Sequence, residues 1–156
     1  ASAFSDFAKM PKQKKEKIEV IGVVKMALDI FNESYIEYKP AVDELYGNLD
    51  KTQLIRIVTN LIKNATQAVG QEDQPKVVVR VSEDEDIMII EVEDNGKGIE
   101  EDVKHLIFEP KFTTKSSGMG LGLPMIKNII EAYQGTISFV SAHGVGTTFK
   151  VTLPKT

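Results

Sequence analysis

Between residues 50 and 69 the apolar residues Leu54, Val58, Leu61, Ile62, Ala65 and Val69 recur every third or fourth position. That spacing predicts one long amphipathic helix, with Asp50 as its N-cap and Gly70 just past its end. Ile21, Val24, Leu28 and Phe31 predict a second helix over residues 18–31. Phe4, Phe7 and Ala8 read as the tail of a further helix that Pro11 ends, and residues 12–17 are polar and charged, like a linker. Elsewhere the pattern favours strands. Residues 77–81 and 87–92 are rich in β-branched side chains and flank a polar stretch, 82–86, which predicts an antiparallel hairpin. A second hairpin is predicted from residues 136–140 and 147–153, turning around His143-Gly-Val-Gly146. Residues 35–39 predict a short strand before Pro40, and 104–108 a short helix. Residues 118–133 are helical in their later part, with Gly135 beyond. Residues 111–117 lack periodicity and read as a loop. Helices interleaved with antiparallel hairpins predict an α+β fold: a sheet with helices packed on one face.

Composition narrows the function. A chain of 156 residues with 42% hydrophobic and 27% charged content is typical of one globular domain. Its net charge of -4 argues against a nucleic-acid partner, which selects for a basic face. A nucleotide is not excluded, because local amides and a few lysines suffice to hold its phosphates. There is no cysteine, so neither disulfides nor thiol chemistry enter, and the chain suits a reducing cytoplasm. No apolar run approaches the length of a membrane span, and no signal-peptide pattern opens the chain. A start at Ala1 rather than Met suggests a piece excised from a longer protein.

Four segments carry candidate chemistry: Asn60-Leu-Ile-Lys-Asn64-Ala, Asp94-Asn-Gly96-Lys-Gly98-Ile99, Phe108-Glu-Pro-Lys-Phe112-Thr-Thr-Lys115 and Gly118-Met-Gly120-Leu-Gly122-Leu. Asn60 and Asn64 share one flank of the long helix. They are either polar groups at a helix contact, or Asn64 offers its oxygen to a magnesium ion held mostly by phosphates and water. Asp94 ends a strand, where its carboxylate is suited to accept a hydrogen bond from the amine of adenine. Gly96 and Gly98 allow backbone to lie close to a flat ring, although Asp-Asn-Gly is also ordinary turn chemistry. Gly118, Gly120 and Gly122 expose amides at a helix start, where phosphate is favoured. Thr113, Thr114 and Lys115 precede them in what reads as a mobile lid, with donors and one charge for a phosphate tail. No Walker loop is present.

The four segments in this order resemble the N, G1, F and G2 boxes of the GHKL superfamily (gyrase, heat-shock chaperone, histidine kinase and mismatch-repair ATPases). Within it the chain is similar to the catalytic ATP-binding domain of a bacterial sensor histidine kinase. Phe108–Lys115 and Gly120-Leu-Gly-Leu-Pro124 resemble the nitrogen-regulation branch, and Phe4-Ser-Asp-Phe-Ala-Lys-Met-Pro11 resembles the helix end of its NtrY-like members. The resemblance covers roughly residues 14–156 and leaves 1–13 as the tail of a dimerisation helix with its linker. It implies a two-layer α/β sandwich of Bergerat type, with a mixed, mostly antiparallel sheet. It implies ATP and Mg2+ as cofactors. Asp94 would contact adenine, Gly96, Gly98 and Ile99 would lie along the ring, and Thr147 would support the adenine end. Asn64 would ligate magnesium. Phe108 and Phe112 would anchor the lid, and Gly118, Gly120, Leu121 and Gly122 would wrap the phosphates, with Thr113, Thr114 and Lys115 beside them.

Asn60 bears on the reaction. ATP-hydrolysing relatives typically carry a glutamate there to activate water, and an amide is a poor base. With Lys115 it would instead serve phosphoryl transfer, which depends on positioning and charge neutralisation. Two features depart from the family: Gln67 stands where many members have a basic phosphate contact, and the acceptor histidine is missing. His105 is followed by Leu106, and His143 lies in a hairpin turn. The implied substrate is therefore a histidine on a separate dimerisation domain, and the onward partner a response-regulator receiver domain. The parent would be a homodimer, with or without a membrane anchor, and this piece a cytoplasmic monomer. The competing readings are a serine kinase of the anti-sigma-factor type, which generally keeps an acidic residue at position 60, and a regulatory module that only binds nucleotide.

Overall fold

The computed structural model describes residues 13–110 and 122–156. In chain order they form β1 (Glu16–Glu19), α1 (Val20–Leu28), β2 (Ile36–Pro40), β3 (Tyr46–Leu49), α2 (Lys51–Ala68), β4 (Val77–Asp84), β5 (Ile87–Asp94), a 3-10 turn (Glu101–Leu106), α3 (Gly122–Ala132), β6 (Thr136–Ala142) and β7 (Gly146–Pro154). Five strands make one sheet in the order β2-β4-β5-β7-β6. Only the β2–β4 pairing is parallel; the other three are antiparallel. β1 and β3 form a separate antiparallel pair.

Strand alternation puts Val77, Val79 and Val81 on the same face as Val92, Ile90, Phe149, Val151, Phe139 and Ile137, because directly opposed residues share a face. The helices cover this face. Leu54, Ile57, Val58, Leu61, Ile62 and Ala65 of α2 are each 2% exposed or less and join the sheet residues in one core. Burying each large aliphatic side chain contributes about 1.5–3 kcal/mol, so the α2 stripe outweighs any single polar contact nearby. The other face carries Arg80, Glu91, Glu93 and Lys150 toward solvent. This is the layered fold expected from the element order.

Polar side chains set the helix ends. Asp50 caps α2, accepting from the Gln53 amide at 3.1 Å through one oxygen and from the Lys14 amide at 2.8 Å through the other. The hydroxyl of Tyr133, just past α3, accepts from the Asp50 amide at 2.8 Å and donates to Gln53 Oε1 at 2.9 Å. Burial, with the nearby Asp50 charge, raises the Tyr133 pKa although the Asp50 amide opposes the shift. The start of α2 is thereby fastened to the end of α3. At α1, the carboxylate of Glu19 accepts from the amides of Gly22 at 2.8 Å, Ile21 at 3.0 Å and Leu45 at 2.9 Å. Partial burial pushes the Glu19 pKa up, but the three amides outweigh it and hold the group below its ordinary value.

Several sequence expectations shift. The charged run at 12–17 is not all linker, since β1 begins at Glu16, and the helix expected from residue 18 starts at Val20 because Glu19 caps it. That helix ends at Leu28 rather than at residue 31. Strand β3 had no alternating signal to announce it. The polar segment 82–86 is mostly strand: only Glu85, at φ 53°, and Asp86 make the turn. The short helix is a 3-10 turn that lies a few residues earlier than 104–108. Pro40 is tolerated inside β2 because that strand is at the sheet edge. Among the described residues no helix is long and apolar enough to cross a membrane.

Replacing Tyr133 by Phe leaves the Asp50 amide and Gln53 Oε1 unpaired where both are buried, and should cost about 1–3 kcal/mol. A lowered urea midpoint with unchanged m-value will report it. The depressed pKa of Glu19 means that its stabilisation is complete above the ordinary value of 4.5 and fades as pH falls through the lower folded-state value. The stability gap between the native protein and Glu19→Gln should therefore be widest near neutral pH and close as pH falls through that lowered value; a gap independent of pH would contradict this.

Candidate functional site

The apolar face of the sheet turns polar at one end. Opposite Asp94, the last residue of β5, stands Thr147 on β7, and opposite Thr147 stands Ser141 on β6. These three side chains form a row continuous with the core face, one step beyond Val92, Phe149 and Phe139. All three are buried: Asp94 is 7% exposed, Ser141 8% and Thr147 5%. Polar groups are costly in such a place unless they are hydrogen-bonded. Asp94 accepts from the Gly96 amide at 2.9 Å, which closes a tight turn. Ser141 Oγ lies 2.8 Å from Thr147 Oγ1 and accepts from the Ile99 amide at 2.8 Å. The Lys104 ammonium donates to the Ser141 carbonyl at 2.7 Å and pairs with Glu101 at 2.6 Å.

The loop after Asp94 is clamped on both sides. A Cβ on Gly96 would collide with the Ala68 carbonyl at the end of α2, and the Lys97 amide donates to that same carbonyl at 3.3 Å. Gly98 has φ +75°, and a Cβ there would strike the carbonyl oxygen of Ala142. The Gly144 amide donates back to Lys97 at 2.6 Å. In this structure the close approach that both glycines permit is to the chain's own backbone. Asn95 holds the outer side, accepting from the Lys76 amide and donating to the Gln74 carbonyl, each at 2.8 Å.

The two amides of α2 are half-buried. Asn60 Nδ2 donates to the Arg56 carbonyl at 2.8 Å, which fixes the amide orientation and leaves Oδ1 toward α3. A Cβ built on Gly122 would sit 3.0 Å from that oxygen. The first and fourth segments therefore meet where α3 begins. Asn64 lies one turn further, toward the Ala68 end that holds the Asp94 loop. Phe108 packs edge-on against Phe139, centroids 6.0 Å apart, with the Lys127 ammonium 5.5 Å from its ring. Phe112, Thr113, Thr114, Lys115, Gly118, Gly120 and Leu121 lie outside the described residues. Among the described residues, no group of three His, Cys, Asp or Glu side chains is placed to hold a metal by itself. His105 and His143 are exposed. Sequence reasoning missed Ser141 and Lys104. The signal for Ser141 was its position mirroring Thr147 across the predicted hairpin turn.

The described chain is thus a helix-on-sheet sandwich whose core face ends in a buried carboxylate beside an amide-bearing helix. The chain belongs to the family of histidine kinase-, DNA gyrase B- and HSP90-like ATPases, whose sequence pattern matches residues 49–156. It is 39% identical over 140 residues to sporulation kinase A of Bacillus subtilis, covering 88% of this chain and 23% of that protein. It is 44% identical over 105 residues to the sensor histidine kinase ZraS of Escherichia coli K12, covering 67% of this chain and 22% of that one. The chain thus spans less than a quarter of the length of these curated relatives. The nucleotide-free catalytic domain of histidine kinase ThkA superposes with a TM-score of 0.81 at 25% identity, covering 91% of this chain and 96% of that one. The same kinase in complex with the response regulator TrrA shares the fold with a TM-score of 0.83 at 23% identity, covering 98% of this chain and 45% of that one. The fold is that of a histidine kinase catalytic domain.

Gly98 and Gly144 both have positive φ, but only at Gly98 does a Cβ meet neighbouring backbone; at Gly144 nothing lies within 4 Å. Gly98→Ala should therefore lower the thermal midpoint clearly more than Gly144→Ala, whose cost is the conformational one alone, about 1 kcal/mol. Equal shifts in the two variants would refute the clamped loop.

Proposed function

We propose that residues 14–156 bind ATP with Mg2+ and transfer its γ-phosphoryl group to a histidine on a separate dimerisation domain of the parent protein. The observation that carries this reading is the buried Asp94 at the polar end of the core face, flanked by Thr147 and by a loop clamped to α2. A fixed carboxylate in a water-poor site is suited to the exocyclic amine of adenine. Gly96, Gly98 and Ile99 would border the ring on that side. Asn64 fits magnesium as a single oxygen ligand, since the ion usually takes few ligands from protein and the rest from phosphate and water. The bound ion would neutralise phosphate charge. Gly118, Gly120, Leu121 and Gly122 would offer amides to the phosphates, and Phe112, Thr113, Thr114 and Lys115 would close over them beside Phe108.

Asn60 supports transfer over hydrolysis. Its amide cannot accept a proton at neutral pH, so water beside the phosphate has no general base there. Phosphoryl transfer would then rest on alignment and on positive charge, roles assigned to Asn60 and Lys115. The same amide speaks against the serine-kinase reading.

Residues 1–13 would bring the chain in from the dimerisation helix. The parent would act as a homodimer and pass phosphate to a response-regulator receiver domain, as a partner class suggested by the ThkA–TrrA complex, whereas this piece alone would be monomeric. The resemblance of Phe108–Lys115 and Gly120–Pro124 to nitrogen-regulation sensors supports that branch. An ATP-dependent domain without cysteine suits the cytoplasm.

Calorimetric titration with ATP and ADP, with and without magnesium, tests the site. Asp94→Ala should weaken ATP by roughly 100-fold, the effect of losing a charge-assisted hydrogen bond of about 2–3 kcal/mol. Asn64→Ala should abolish the gain in affinity from magnesium while leaving metal-free binding in place. Unaltered affinity in Asp94→Ala would refute the assignment. Transfer to a supplied dimerisation domain should yield acid-labile phosphohistidine; binding without transfer would favour a regulatory module.

A further inference from the structure

We propose that Arg56 is a docking contact for the histidine-bearing domain and takes an acidic side chain of that domain as it reaches the phosphate end of the site. The inference rests on the phosphoryl-transfer reading above and goes beyond it, to what the enzyme recognises in its protein substrate. It begins from an uncompensated charge. Helix α2 carries Lys51, Arg56 and Lys63 and no acidic residue. Lys51 and Lys63 are exposed, whereas Arg56 is half-buried. Its guanidinium donates to the Met125 sulfur of α3 at 3.9 Å, and no carboxylate among the described residues pairs with it. Its neighbours one turn away on the helix, Thr52, Gln53, Thr59 and Asn60, are all uncharged. A thioether is a weak acceptor for one of five donors. A partly desolvated guanidinium held this way is matched to a carboxylate, which can accept from its fork through two bonds.

Position along α2 says which anion arrives. The Ala68 carbonyl, bonded to the Lys97 amide of the Asp94 loop, marks the base end of the helix. At about 1.5 Å per residue, Asn64 is about 6 Å from that end, Asn60 about 12 Å and Arg56 about 18 Å. Long side chains on a helix lean toward its N-terminus, so the guanidinium is carried further still from the base. Asn60 is the residue assigned to aligning the transferred phosphate, and Arg56 stands one turn past it. Attacking and leaving groups lie in line across that phosphate, so the acceptor enters from the side away from the base. The start of α3 borders the same place, with Gly122 against Asn60 and Met125 against Arg56. A carboxylate seated on Arg56 would set the register of the incoming domain, because a forked contact fixes orientation as well as proximity. Asn60 itself does not depend on the guanidinium: its Nδ2 donates to the main-chain carbonyl of Arg56.

The test supplies the whole chain, native or carrying Arg56→Gln or Arg56→Lys, with the parent's dimerisation domain as substrate. Calorimetry with ATP and magnesium should give the same affinity in all three, within about twofold. In Arg56→Gln the KM for the acceptor domain should rise by about tenfold with kcat little changed, the pattern of a lost binding contact. Arg56→Lys keeps the charge without the fork and should fall between. Acidic residues around the acceptor histidine are then changed one at a time to amides. One such change should raise the native KM by the same factor and add nothing further in Arg56→Gln, the non-additivity of a direct pair. Weakened ATP binding in Arg56→Gln with an unaltered acceptor KM would assign the cation to the nucleotide phosphate and overturn the proposal. A native KM in Arg56→Gln, or strict additivity of the two changes, also overturns it. Should Arg56→Gln fail to fold, the altered acceptors decide against the native chain alone: if none raises KM, the proposal falls. ATP binding without transfer to any acceptor would refute the transfer reading and this inference with it, and no ATP binding would refute the site itself.

Discussion

The burial of one helical stripe against one strand face organises this molecule. Leu54, Ile57, Val58, Leu61, Ile62 and Ala65 of α2 can leave water only by covering the valines and isoleucines of β4, β5 and β7. That contact fixes how far α2 runs along the sheet and which flank of it faces α3. Asn60 and Asn64 are on that helix, and Asp94 ends a strand beneath it. Their relative placement follows from apolar packing, and hydrogen bonds such as those of Asn60 and Asp94 then fix the side chains. The Tyr133 hydroxyl, shared between Asp50 and Gln53, fastens the far end of α3 to the same helix.

Function enters where that packing stops. The core face continues for one more row across three strands, but with Asp94, Thr147 and Ser141 in place of aliphatic side chains. Buried polar atoms require partners, and each of the three has one from a neighbouring loop or strand. The partners are drawn from the loop at 94–99 and the β6–β7 turn, so the stability of the row and the shape of the loop are one problem. Gly96 and Gly98 belong to that problem. Their missing Cβ atoms let the loop press against Ala68 and Ala142, which holds the carboxylate still. A preorganised carboxylate binds more tightly than a mobile one, because the ordering is complete before a ligand arrives.

The long helix, both hairpins and the layering were legible along the chain because each has a local period that burial enforces. Two short strands were not. β1 and β3 are four residues each, β1 is charged, and their pairing joins segments far apart in the chain. This separate pair is tied in by its own last residue, Glu19, whose carboxylate reaches both the start of α1 and Leu45. The turn between β4 and β5 reads longer in the sequence than it is, because Ser82, Glu83 and Asp84 look like loop residues. They are tolerated in the strand because they lie toward its solvent-exposed end.

By itself the sequence determined the periodic elements and the chemistry of the candidate groups: which carboxylate, which amides, which glycines. Those follow from residue type and near-neighbour spacing. Only the tertiary structure decided that Ser141 stands beside Thr147, that Asn60 meets Gly122, and that the glycines are pressed by backbone. Each of these depends on register or on the approach of remote segments, and spacing along a chain does not encode the distance between strands that have yet to pair.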